Sequence, residues 1–286
     1  MRTTNSHLCG RPLRYIPPIL IMGLLMLSSP GRTDETAVTG VSAQSAATGV
    51  STEARPIVDA LYVAMGGRLA MDALADLRFT FTYTSNDTLR SSRTHWWDRA
   101  NGRYRIQGKS RTGEEYVILF NTNTQEGTAW VEGKLQEGES QARWLKRGYG
   151  TFINDMYWLL MPFKLDDPGV TVVTDGEADV AGAHCDRLKV TFDRVGLTPG
   201  DTYWAYVDRA NHRMIRWGFI LQDDAGPNAT ESLWDWTEWR EVAGVLVAPA
   251  RVAVADPDRT VIRFENLEGG VGWPDSVFTS TAPIQL

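Results

Sequence analysis

Aromatic side chains spaced two residues apart are the residues of this sequence best suited to form a binding site. The spacing occurs in Phe79/Phe81 and recurs in three later pairs, Trp204/Tyr206, Trp217/Phe219 and Trp234/Trp236. Because successive strand residues point to opposite faces, each pair projects from one face of a strand. The 11 tryptophans of the 286-residue chain therefore fill a core, line an apolar cavity, or lie exposed and stack on sugar rings.

Polar residues that could catalyse a reaction do not form a recognisable motif. His95, His184 and His212 lie far apart and lack the spacing of zinc ligands, so we predict no metal site. Nucleophile elbows and phosphate-binding glycine loops are also missing, which predicts no catalytic residue and no cofactor. Cys185 follows His184 directly, and strand neighbours face opposite ways, so we interpret Cys185 as a small buried residue.

Three groups of carboxylates leave a hydrolase as an alternative. Asp166-Asp167, Asp223-Asp224 and Glu238/Glu241 could form an acid/base pair, although neighbouring Pro168 and Gly226 favour turns for the first two. Asp155 interrupts an apolar helix pattern and is either a buried functional acid or the cap of a last helical turn. We favour the cap.

Composition and charge indicate an exported globular protein. Lys and Arg number 29 against 35 Asp and Glu, and this net charge of −6 argues against a nucleic-acid partner. Three arginines precede the apolar run Ile19 to Leu27, which predicts a signal peptide over residues 1–29, with a cut site as late as residue 43. Residues 30–55 then form a flexible leader. We predict that residues 56–286 form a single domain and that the mature protein is periplasmic.

Hydropathy periods predict an α+β fold. A helix begins at Pro56 and stops at Gly66-Gly67, a short helix covers Leu69 to Leu74, and a central helix covers Ser140 to Leu160 before Pro162. Strands are predicted from Leu77, and over Ser92 to Arg99, Arg103 to Lys109, Glu115 to Asn121, Gly127 to Lys134, Val170 to Asp175, His184 to Phe192, Thr202 to Asp208, Met214 to Gln222, Glu231 to Glu241, Val245 to Ala255 and Thr260 to Leu267. About 11–12 antiparallel strands would form one strongly curved, unclosed sheet, with the N-terminal and central helices on its concave face.

Two motifs resemble an uncharacterised exported bacterial family that is similar to the lipoprotein-sorting carriers of the LolA/LolB type. They are the segments Asn154 to Leu165 and Gly196 to Asp201. The resemblance implies an unclosed antiparallel half-barrel, helices that plug its mouth, a hydrophobic cavity and a periplasmic location. Arg78, Arg93, Arg103 and Arg105 compete for the role of the strand arginine that holds the lid helices in such carriers.

We therefore predict a periplasmic, non-enzymatic binder or carrier of a lipid or lipoprotein acyl chain. The central helix, weakened by Gly148 and Gly150, and the loop Met161 to Val170 would form a lid. Predicted ligand contacts are Trp158, Met161 and Phe163 from the lid, and Phe79, Phe81, Trp204, Tyr206, Trp217, Phe219, Trp234 and Trp236 from the sheet. An inner- or outer-membrane protein would be a further partner. A cell-envelope scaffold with a filled core, or a hydrolase of an envelope substrate, are the alternatives.

Overall fold

The computed structural model describes residues 49–193 and 195–286 of the chain. The expected signal peptide and most of the expected leader lie outside these residues. The folded part begins earlier than the predicted boundary, because strand β1 (Gly49–Val50) pairs in parallel with a later strand, Gly49 opposite Thr171. The described fold thus includes β1, which lies before the expected start of the domain at residue 56.

The three predicted helices occur where the hydropathy periods placed them. Helix α1 (Arg55–Ala64) has Pro56 in its first turn, where a missing N–H costs nothing, and α2 (Gly67–Ala73) follows after Gly66 in a left-handed conformation. The central helix α3 (Gly138–Leu160) is continuous over 23 residues and runs into a 3-10 turn, Met161–Lys164. A short helix α4 (Asp275–Thr279) lies near the end of the chain. Among the described residues, no helix is long and apolar enough to cross a membrane.

The strands form two consecutive antiparallel sets on either side of α3. The first set is β2 (Asp76–Ser85), β3 (Thr88–Asp98), β4 (Arg103–Lys109), β5 (Glu115–Asn121), β6 (Gly127–Val131) and β7 (Lys134–Leu135). The second set is β8 (Val170–Val180), β9 (Ala183–Phe192), β10 (Thr202–Asp208), β11 (Met214–Ile220), β12 (Ser232–Thr237), β13 (Arg240–Val242), β14 (Val245–Val247), β15 (Ala250–Ala253) and β16 (Val261–Gly269).

All strands except β13 and β14 join one 14-stranded sheet in the order β1-β8-β9-β10-β11-β12-β15-β16-β2-β3-β4-β5-β6-β7. The sheet is strongly curved and unclosed, as predicted, with β1 and β7 as its edges. It has more strands than the 11–12 expected because the two-residue edge strands β1 and β7 are added. Two predicted strands also divide, into β12/β13 and β14/β15, and β13 pairs with β14 outside this sheet. The two sets meet where β16 pairs with β2, Phe264 opposite Phe81.

The main core lies between the concave face of the sheet and helices α1 and α3. Phe79, Ile118, Leu188 and Trp217 from the sheet are buried there together with Leu159 of α3. Two smaller apolar clusters lie apart from this core, one around Cys185, Trp204 and Tyr206, the other around Trp96 and residues 277–278. The sheet therefore buries aromatic rings on both of its faces.

Candidate functional site

Helix α3 lies along the concave face and packs on it through aromatic rings. Phe152 contacts Tyr104 of β4, with ring centroids 4.8 Å apart. Six residues later, Trp158 packs on Trp217 of β11 at 4.5 Å and on Trp234 of β12 at 5.3 Å. Six residues span about 1.7 helical turns, so the two rings lie on one broad buried side of the helix and not in a single row.

Most of the predicted ligand-contact residues meet in this interface. Buried together in the main core are Phe79, Phe81, Trp158, Met161, Trp217, Phe219, Trp234 and Trp236, and Phe163 packs against them half-buried. Their role as ligand contacts stays a prediction.

Trp204 and Tyr206 were placed on the wrong face. In the register of β10 and β11, Tyr203 lies opposite Phe219 and Ala205 lies opposite Trp217, so residues 203 and 205 point to the concave face. The side chains of Trp204 and Tyr206 therefore project from the convex face, where Trp204 Nε1 donates to Asp175 (2.9 Å) and the Tyr206 hydroxyl donates to Glu231 (2.8 Å). Neither can contact a ligand held beneath α3.

An apolar pocket of about 70 Å³ opens where the C-terminal half of α3 meets β9–β11. Its walls come from both sequence motifs and from the sheet between them: Ile153, Asn154, Tyr157, Trp158, Phe192, Val195, Gly196, Leu197, Thr198, Asp201, Tyr203, Trp217, Phe219 and Leu221. Typical ligand pockets measure about 300–1,000 Å³. The pocket is therefore too small for a whole lipid tail unless α3 or the loop 195–201 moves.

Asp201 fixes that loop on the sheet. Its buried carboxylate accepts hydrogen bonds from the Tyr203 hydroxyl (2.8 Å) and from the backbone N–H of Gln222 (2.8 Å). Two donors beside it, the Tyr157 hydroxyl and Trp217 Nε1, are buried without a hydrogen-bond partner among the described residues. Burial raises the pKa of the Tyr157 hydroxyl above its ordinary value, so this group stays protonated.

A buried polar network ties the middle of α3 to the sheet. Asp155 is fully buried, and Arg93 of β3 donates two hydrogen bonds to its carboxylate, both 2.6 Å long. His95 Nε2 lies 2.9 Å from the same carboxylate. His95 Nδ1 lies 2.7 Å from the Tyr104 hydroxyl. Our interpretation of Asp155 as a helix cap is wrong, because this residue lies inside α3 and pairs with the sheet.

The charges of this network fix its protonation. Burial alone would raise the pKa of Asp155, but the Arg93 charge and the contacts with both partners outweigh it and lower that pKa to about 2. Burial lowers the pKa of His95 below its ordinary value, an effect that Asp155 only partly offsets. Near neutral pH, Asp155 is therefore ionised and His95 is neutral.

Arg251 of β15 anchors the C-terminal end of α3, and the sequence analysis did not name it. Its side chain is fully buried, and its guanidinium donates to the backbone carbonyl of Trp158 through Nη2 (2.7 Å) and Nε (3.1 Å). The same group lies 3.4 Å from the ring centre of Trp236. Carbonyls of the last helical turn have no partner within the helix, so Arg251 satisfies groups that burial would otherwise leave unpaired. The only available signal was an arginine inside a predicted apolar strand.

Of the four arginines considered for the lid, only Arg93 contacts α3. Arg78 pairs with Glu268 (2.8 Å), and Arg103 pairs with Asp98 (2.7 Å) and Asp275 (2.6 Å). Arg105 points to the convex face and contacts residues 277–282. Arginines of two strands, Arg93 of β3 and Arg251 of β15, therefore hold α3 on the sheet.

The first carboxylate pair considered for hydrolysis forms ion pairs, and Cys185 and His184 do not form a nucleophile pair. Asp166 pairs with Arg55 (2.9 Å) and Arg68, and Asp167 pairs with Lys164 (2.9 Å). Cys185 is buried on the convex face, where burial raises the pKa of its thiol to about 11, while His184 is exposed. Within residues 49–193 and 195–286, no three His, Cys, Asp or Glu side chains are grouped to hold a metal ion.

Comparison with known proteins gives likenesses of fold. No family model and no curated protein matches the chain. Among solved structures, the chain is similar to a DUF1329 family protein from Desulfovibrio piger (12% identity, 78% of this chain and 96% of that one, TM-score 0.45). It is also similar to a putative outer membrane lipoprotein-sorting protein domain from Vibrio parahaemolyticus (9% identity, 78% and 95%, TM-score 0.44). A third likeness is to a LolA superfamily protein from Nitrosomonas europaea (10% identity, 79% and 97%, TM-score 0.43).

Proposed function

We propose that this protein is a periplasmic, non-enzymatic carrier that binds an acyl chain of a lipid or lipoprotein between α3 and the concave face of the sheet. The observation that carries the proposal is the apolar pocket beside α3, whose walls are mostly aromatic and aliphatic side chains. Each buried methylene contributes about 0.8 kcal/mol, so an acyl chain needs no charged partner to bind there. An inner- or outer-membrane protein would deliver or receive the acylated ligand.

In this proposal α3 and the loop Met161 to Val170 act as a lid that must move to admit the chain. The helix is not a member of the sheet, so lifting it breaks no strand pairing. Its polar anchors are the pairing of Asp155 with Arg93 and the hydrogen bonds from Arg251. Opening therefore separates side-chain contacts and aromatic packing while the half-barrel stays intact.

Native mass spectrometry tests the ligand directly. The full chain is expressed with export to a bacterial periplasm, purified, and measured under native and then denaturing conditions, with lipid extraction of the same sample. We expect a lipid or acylated peptide in stoichiometric amount. A clean apoprotein that also ignores a fluorescent fatty-acid probe would contradict the proposal.

A disulfide between α3 and the sheet tests the lid. A Cβ added at Gly148 lies 3.1 Å from Ile118 Cγ2 of β5, so we choose these two neighbouring positions for a pair of cysteines. The oxidised Ile118→Cys/Gly148→Cys variant should lose uptake of the fatty-acid probe, and reduction should restore it. The single Ile118→Cys variant is the matched control, and Cys185 does not interfere because its thiol is buried on the other face. Equal uptake in the oxidised and reduced states would contradict a lid role for α3.

A second candidate function is supported by the dense packing of the interior. Rings from α3 and β11–β12 contact one another directly, for example Trp158 with Trp217. Such a filled core suits a cell-envelope scaffold that binds another protein. The lipid measurements above separate this candidate from the carrier, because a scaffold would bind no acyl probe in either the locked or the unlocked state.

A further inference from the structure

The convex face of β3 and β4 holds a second constructed site, far from the pocket under α3. Trp96 and Arg105 lie opposite each other in the register of the two strands, and both side chains are almost completely buried. They are covered by α4 and by residues 280–286. We call the surface formed by Trp96, Arg105 and Gln107 the outer slot.

The outer slot binds the backbone of the covering segment at regular intervals. Arg105 Nη1 donates to the carbonyl of Ser280 (2.7 Å), and Arg105 Nη2 donates to the carbonyl of Ala282 (2.6 Å). Gln107 donates to the carbonyl of Ile284 (2.7 Å) and accepts from its N–H (3.0 Å). Accepting carbonyls at every second residue indicate an extended chain. Recognition through backbone atoms suits many sequences.

The positive charge of the outer slot is not balanced by its present occupant. Arg105 forms no ion pair with any described carboxylate, and burial lowers the pKa of its guanidinium to about 10. Neighbouring Arg103, in contrast, pairs with both Asp98 and Asp275. Residues 280–286 offer Arg105 only neutral carbonyl groups. Charged acceptors form hydrogen bonds about twice as strong as neutral ones.

The covering segment is held by its hydrogen bonds to Arg105 and Gln107 and buries little apolar surface. Most of its side chains are exposed, and Ile284 is the half-buried residue that packs against the cluster around Trp96. No strand ladder includes residues 280–286 among the described pairings. Segments with few buried contacts open at a small fraction of the global unfolding free energy. Opening exposes Arg105 donors that require another acceptor.

We propose that the outer slot is a binding site for an extended peptide that carries a carboxylate and belongs to a partner protein, and that residues 280–286 occupy the slot when this peptide is absent. The carboxylate would neutralise Arg105, and Gln107 would hold the peptide backbone. This site does not depend on the proposed lipid function, because it lies on the opposite face of the sheet.

Peptide binding to a shortened chain tests the proposal. The chain is ended after Thr279, which keeps α4 and empties the slot. Fluorescent, C-amidated peptides of residues 280–286 are compared with versions that carry Ser280→Asp, Thr281→Asp or Ala282→Asp. We expect at least one acidic peptide to bind at least tenfold more tightly than the neutral peptide. The intact chain should bind it at least tenfold more weakly, because its own segment competes at high effective concentration.

Two variants locate the binding and keep the test independent of folding defects. Gln107→Ala in the shortened chain should weaken every peptide, and Arg105→Gln should abolish the preference for acidic peptides. Arg90→Ala removes the same charge from an exposed position of β3 and should leave binding unchanged. Circular dichroism confirms that each variant is folded. Equal affinity for neutral and acidic peptides, or equal binding by the intact and shortened chains, would overturn the proposal.

Discussion

At the residue scale, the charge of Asp155 is stabilised inside the core by Arg93 and His95. Removing one partner of a buried pair leaves the other charge without compensation, which costs about 3–5 kcal/mol. We expect Asp155→Asn to lower the free energy of unfolding by about 3 kcal/mol, measured by urea titration. Asp167→Asn breaks a half-exposed pair with Lys164 and should cost less than about 1 kcal/mol. Similar losses for the two variants would show that the Asp155 network does not stabilise the fold.

His95 gives this network a dependence on pH. Its pKa in the folded state is lowered, so the unfolded chain binds the proton more readily. The stability that comes from keeping His95 neutral is therefore fully present above the unfolded pKa of about 6.5. It is lost as the pH decreases below that value.

We expect melting temperatures to fall between pH 7 and pH 5, and His95→Gln to reduce this fall. His184→Gln is the control, since that exposed side chain has a raised pKa and its contribution has the opposite sign. If the melting temperature of His95→Gln falls by the same amount between pH 7 and pH 5, other groups cause the decrease. Asp155 adds its own loss only at lower pH, as the pH approaches about 2.

Individual residues also show what the sequence could not reveal. Alternation correctly grouped Trp217 with Phe219 and Trp204 with Tyr206. It could not say which pair faces α3, because the period is the same for both faces of a strand. The anchors Asp155 and Arg251 were not recognised because their partners are distant in sequence, and burial of a charge is decided by those partners.

At the element scale, the two glycines of α3 have different surroundings. We interpreted both as points of weakness, and the helix is continuous through them. A Cβ at Gly148 would meet Ile118 at 3.1 Å, whereas a Cβ at Gly150 has its nearest neighbour, Leu197, at 4.0 Å. Gly148 thus permits a close approach of α3 to β5.

The two glycines make a matched pair of substitutions. Gly150→Ala should stabilise the protein by up to about 1 kcal/mol, because alanine favours the helix and meets no obstacle. Gly148→Ala gains the same propensity but must displace Ile118, so we expect it to be at least about 1 kcal/mol less stable than Gly150→Ala. Chemical denaturation of both variants measures the difference. Equal stabilities would mean that Ile118 moves aside without cost.

Strands were predicted well where apolar and polar residues alternate over a long segment and clear turn residues mark its ends. The bounds of β4, β5 and β10 agree with the expected strands, because Asn101-Gly102 and Thr112-Gly113 mark the turns. The predicted strand Val170 to Asp175 was too short, since β8 continues to Val180 through an irregularity in its pairing with β9. A bulge breaks the alternation on which the prediction depended.

At the scale of the whole molecule, the sheet separates two aromatic clusters that should differ in function. Trp217 lies in the core beneath α3, and Trp204 lies on the convex face. Truncating either ring should destabilise the protein by about 3–5 kcal/mol. Only Trp217→Ala should also weaken binding of a fluorescent fatty acid, measured at a temperature where both variants are folded. Equal weakening by both variants would mark Trp217 as ordinary core.

The junction between β2 and β16 determines when the sheet can be completed. Leu77 pairs with Gly269, so strands from the beginning and the end of the domain are neighbours in its middle. Until residues 261–269 have been synthesised, the two halves of the sheet each keep an unpaired hydrophobic edge at this position. Pairings so distant in sequence form slowly. The newly made chain therefore passes through a period in which it is prone to aggregate, and a chaperone that shields β2 would act before the last strand arrives.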